Sequence, residues 1–90
     1  MPTYEFIIRG KVQGVFYRAS VQEKGVELGL GGWVKNLPDG GVQLRASGST
    51  EALQLLEAWC AQGPPRAEVI SVEKKELPEE AFEGFTVLRE

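Results

Sequence analysis

The sequence predicts an α+β fold, with two helices on one face of a mainly antiparallel sheet. Three observations carry this. Apolar periods of two and of three-to-four follow one another in the order strand, helix, strand, strand, helix, strand, and a short strand closes the chain. The breaks between them are written in glycine and proline, which punctuate structure most sharply. The chain has 90 residues, 42% hydrophobic and 26% charged, so residues 1–90 are expected to form one small domain with a solvated surface.

Residues 4–12 alternate, with Tyr4, Phe6 and Ile8 on one face and Glu5, Ile7 and Arg9 on the other, as a half-buried strand requires. Gly10 and Gly14 bracket a turn-prone stretch. Over residues 17–28 the pattern becomes helical, with Tyr17, Val21, Gly25 and Leu28 spaced by three and four. A mid-helix glycine costs about 1 kcal/mol against alanine, so Gly25 implies a close approach of helix to sheet. Gly29, Gly31 and Gly32 are read as the helix stop, and residues 33–36 as the second strand. Leu37-Pro38-Asp39-Gly40-Gly41 is a turn, and residues 42–47 alternate again to complete a hairpin.

Ser49 or Thr50 caps the second helix, whose apolar stripe is Leu53, Leu56, Trp59 and Cys60. Gly63-Pro64-Pro65 ends it. Residues 66–75 form a fourth strand whose apolar phase slips, which places a β-bulge near Ile70 and Ser71. Residues 78–84 are a loop and residues 85–88 a short closing strand. This order is the ferredoxin-like βαββαβ arrangement. Right-handed crossovers make the first and second strands parallel with the third between them. Their carboxyl ends then share one end of the sheet, so the 12–18 loop and Asn36 are expected to be neighbours.

Composition removes several kinds of chemistry. There is no histidine, hence no histidine general base, no triad and no usual zinc site. A net charge of −3 gives no electrostatic footprint for nucleic acid. The single cysteine, Cys60, forbids an internal disulfide and fits a reducing compartment. No run of membrane length and no leader pattern is visible, so a soluble, cytoplasmic monomer is expected.

A glycine-containing strand-to-helix turn presents backbone N–H groups at a helix N-terminus, where anions bind. Arg18 lies in that first turn. A cation there opposes the helix dipole unless an anion is bound, and its planar fork matches phosphate oxygens. On spacing alone, Arg18 reads first as a surface residue paired with a neighbouring carboxylate, since a glycine loop before a helix is weak evidence. Asn36, at a strand end before Pro-Asp-Gly, reads as a turn residue or as an amide that orients a water.

Two longer patterns bear on that choice. Gly10-Lys11-Val12-Gln13-Gly14-Val15-Phe16-Tyr17-Arg18 resembles the first signature of the acylphosphatase family. Gly32-Trp33-Val34-Lys35-Asn36, followed by Gly40-Gly41-Val42 and Gly48, resembles the second. The likeness runs over nearly the whole chain and takes in Trp59, Gly63-Pro64-Pro65 and Phe85-Thr86-Val87. Gly25 departs from it, standing where alanine is expected. The resemblance, in its small bacterial and archaeal form, implies hydrolysis of acyl phosphates to a carboxylate and inorganic phosphate, with no metal and no cofactor. It further implies that Arg18 and the backbone N–H groups of Gln13, Gly14, Val15, Phe16, Tyr17 and Arg18 hold the phosphoryl group. Asn36 would orient the attacking water. The expected partner is a small acyl phosphate, with phosphate or sulfate as product or analogue, and neither nucleic acid nor membrane.

Other residues read more plainly. Cys60, Trp59 and Trp33 are expected in or near the core. Glu79, Glu80 and Glu83 form a solvated loop face rather than a Mg²⁺ site. Lys35 is an exposed strand lysine that adds at most a weak positive field beside Asn36. Two other functions share the topology: a non-catalytic module binding a small anion or a protein, and an RNA-binding sheet. The second needs exposed sheet aromatics and a basic surface, and neither is evident.

Overall fold

The structure, a computed structural model describing residues 1–89, runs β1 (Thr3–Lys11), α1 (Tyr17–Glu27), β2 (Gly31–Asn36), β3 (Val42–Ser47), α2 (Thr50–Gln62), β4 (Glu68–Leu77) and β5 (Phe85–Val87). The sheet order is β4-β1-β3-β2-β5. β3 pairs antiparallel with both β1 and β2, so those two strands are parallel to each other, as the crossover rule requires. β5 adds a parallel edge along β2.

The alternation of β1 is realised directly. Phe6 and Ile8 are buried with Val34, Val42, Leu44 and Ala46 beneath the helices, and α1 adds Tyr17 and Val21, while α2 adds Leu53, Leu56 and Cys60. Ser49 caps α2, its hydroxyl accepting from the Ala52 N–H at 3.1 Å. The slip in β4 is a bulge: Arg9 pairs with Ser71 and Gly10 with Val69, which leaves Ile70 unpaired and 83% exposed.

Two readings change. Only Gly29 ends α1, in a left-handed conformation (φ 72°), and Gly31 and Gly32 belong to β2. A Cβ on Gly32 would lie 1.9 Å from the Arg45 carbonyl oxygen, so the glycine serves a close strand approach rather than a helix stop. Trp33 is not in the core. It stands on the helix-free face of the sheet, its ring 5.5 Å from both the Lys35 ammonium and the Arg45 guanidinium. Period two decides this, because Val34 takes the buried face.

Candidate functional site

The connection from β1 to α1 is pinned from below and open above. Val12 and Val15 are buried, while Gly14 and Phe16 are exposed. Gly14 (φ 75°) and Phe16 (φ 63°) are both left-handed, which is rare for a bulky side chain and turns the Phe16 ring outward. Tyr17 goes the other way. It is buried against α2, donates to the Cys60 carbonyl at 2.7 Å and packs against Trp59 at 5.7 Å between ring centres. Burial pushes its hydroxyl well above the ordinary tyrosine range, so it stays protonated and structural.

Among the described residues no side chain caps α1, and its first turn holds no acidic residue. Its first backbone bond runs from Ser20 N–H to the Phe16 carbonyl at 3.1 Å, so the N–H groups of Tyr17, Arg18 and Ala19 precede the hydrogen-bonded ladder. These donors, with the positive end of the helix dipole, favour an anion.

Asn36 ends β2 and is held by the turn that follows. Leu37 N–H donates to the Gly41 carbonyl at 2.8 Å, and the Gly41 N–H donates to Asp39 at 3.0 Å. That N–H, together with the Arg9 guanidinium, holds the Asp39 carboxyl below its usual range. The Gln13 amide then ties the loop to this turn, donating to the Leu37 and Gly41 carbonyls at 2.8 and 2.9 Å. Gln13 therefore does with its side chain what the sequence did not foretell: it locks the two halves of the site together.

The result is one cleft of about 320 Å³ lined by Val12, Gly14, Phe16, Tyr17, Arg18, Ala19, Asn36 and Arg89. Among the described residues Arg18 has no ion pair, and its one polar contact is a long bond to the Leu88 carbonyl at 3.4 Å. The Asn36 side-chain oxygen is buried without a hydrogen-bond partner among the described residues. Leaving such an acceptor unsatisfied costs about 1–3 kcal/mol, a strain typical of functional positions. Arg89 was not foreseen. β5 pairs in parallel with β2 as far as Val34 and Val87, and the chain that follows brings Arg89 into the lining of the same cleft as Asn36. No sequence signal announced which strand β5 would join.

Residues 4–87 match the acylphosphatase family model. The chain belongs to the acylphosphatase family. It is 50% identical to an acylphosphatase of Marinobacter nauticus, over 96% of this chain and 91% of that one. The solved acylphosphatase of Coxiella burnetii superposes with a TM-score of 0.94 at 42% identity, over 97% of this chain and 92% of that one. The Bacillus subtilis acylphosphatase gives 0.96 at 34% identity, over 99% and 100%.

Residues set aside in this acylphosphatase chain find other work. Lys35 sits against Trp33 rather than in the cleft. The acidic loop is stitched to the start of β1, at the end of the sheet away from the cleft. Glu79 pairs with the N-terminal amine at 3.0 Å, Glu80 N–H donates to Thr3 at 3.0 Å, and the Glu80 carboxylate lies 3.6 Å from Arg45. Among the described residues no three acidic or cysteine side chains gather as a metal site, and no helix is long and apolar enough to cross a membrane.

Proposed function

We propose that this protein hydrolyses the carboxyl–phosphate bond of small acyl phosphates, using Arg18, the loop amides and Asn36. The observation that carries the reading is the cleft itself, where, among the described residues, a guanidinium without an ion pair, an uncapped helix start and a buried, unpartnered amide oxygen line one space. The Arg18 fork and the N–H groups of residues 13–18 grip the phosphoryl oxygens. The Asn36 oxygen accepts from a water and aims it at phosphorus. The new P–O bond forms as the old one breaks, the acyl oxygen leaves as a carboxylate, and the water's proton passes to a phosphoryl oxygen. A carboxylate is a stable leaving group at neutral pH, so no general acid is needed. Positioning and charge stabilisation supply the rate.

Phosphate release from benzoyl phosphate tests this, run with and without EDTA. Release by the wild-type chain, undiminished by the chelator and lost in Arg18→Ala, is the expected result. Binding of phosphate without hydrolysis would mark a non-catalytic anion module. Loss in EDTA with recovery in Mg²⁺ would bring a metal into the reaction.

A further inference from the structure

The cleft has a neighbour. Beyond Phe16 lies a groove of about 420 Å³ lined by Val15, Phe16, Ser20, Pro64, Pro65 and Arg66. Phe16 lines both hollows, and its ring is 76% exposed on a left-handed backbone. A bulky residue held so costs of order 1–3 kcal/mol.

Sheet order says what the groove faces. Asn36 ends β2, while Pro64–Arg66 leads into β4, and β1 with its loop lies between them in the order β4-β1-β3-β2-β5. Attack by water is in line, so the leaving group departs from the side of phosphorus opposite the water. With the water at Asn36 and the phosphoryl group in the loop, the acyl group points past Phe16 toward the Pro64–Arg66 side. Arg66 is exposed and has no ion pair among the described residues.

We infer that this groove is the acyl-group subsite, which rests on the proposed hydrolysis. It takes an acyl group larger than acetyl, with an apolar body lying against Phe16 and the two prolines and a distal anion reaching Arg66. The phosphoryl cleft is indifferent to the acyl group, and the groove supplies the choice.

Three substrates separate the parts: acetyl phosphate, benzoyl phosphate and 4-carboxybenzoyl phosphate. Ser20→Leu fills the groove from α1 without touching the cleft. It should raise KM for benzoyl phosphate about fivefold, leaving kcat and all acetyl phosphate parameters within about twofold. Arg66→Gln should lower kcat/KM for the 4-carboxy substrate about threefold relative to benzoyl phosphate, the size expected of an exposed charge pair. Equal losses on acetyl and benzoyl phosphate, or none on either, would overturn the subsite. An unchanged ratio between the two benzoyl substrates would remove Arg66 from it. The stable analogues benzoylphosphonate and acetylphosphonate keep the test independent of hydrolysis. In amide spectra, benzoylphosphonate alone should shift Ser20 and Arg66. If neither substrate is cleaved, the functional reading fails while those shifts still decide the subsite.

Discussion

Arg18 and Asn36 are ordinary side chains made useful by what their neighbours withhold. Among the described residues Arg18 is a cation at the wrong end of a helix with no carboxylate to answer it, and Asn36 presents a buried oxygen with nothing to accept from. If the guanidinium grips two oxygens, charge alone cannot replace it. Arg18→Lys should therefore lose activity nearly as far as Arg18→Ala, by about a hundredfold or more in kcat/KM. A lysine variant retaining most of the activity would reduce Arg18 to a source of field. Cys60 offers a separate check on burial. Its thiol, ordinarily near 9.0, is pushed up to about 12 by desolvation. The unfolded chain loses that proton first, so between those values it binds fewer protons than the folded one and stability falls as pH rises. The slope is at most about 1.4 kcal/mol per pH unit. Urea midpoints should drop above pH 9 in the wild type and less in Cys60→Ala, and a wild-type midpoint flat to pH 11 would contradict the burial.

Elements explain what single residues cannot. Gly25 departs from the expected alanine because Phe85 of β5 fills the space: a Cβ there would lie 2.4 Å from the Phe85 ring. The glycine and the ring are one packing solution. Helix propensity favours Gly25→Ala by about 1 kcal/mol, but the clash should exceed it and leave the variant about 1–3 kcal/mol less stable by denaturant titration. Phe85→Leu in the Gly25→Ala background should recover part of that loss; failure to do so would break the pairing. Strand and helix positions were legible in the sequence because alternation and helical spacing report burial directly, even to the slip at Ile70. Trp33 was read as core or near-core from its apolar character, whereas in a strand the alternate position, Val34, had taken the buried face.

At the scale of the molecule, one end of the sheet carries the proposed site and the other the stitching. The 12–18 loop, Asn36 and Arg89 meet at the carboxyl ends of β1 and β2, while Thr3, Glu79 and Glu80 close the far end. Motif spacing and a handedness rule placed the loop beside Asn36. They could not supply the Gln13 clamp, which depends on where the Leu37–Gly41 turn folds back, nor Arg89, which depends on β5 choosing β2. The central claim is hydrolysis by positioning, without a titrating enzyme base. A guanidinium keeps its charge across the accessible range and amides do not titrate, so kcat should be level from about pH 5 to 8 once the substrate's own ionisation is divided out. Asn36→Asp keeps the shape but sets a negative charge beside an anionic substrate. It should abolish activity near neutrality and recover it as that carboxylate protonates on the acid side. The deciding measurement is kcat against pH for both proteins. A flat wild-type profile and an acid-limb recovery in the variant are the predicted result, and a steep wild-type inflection near neutrality, unmatched by the substrate, would contradict it.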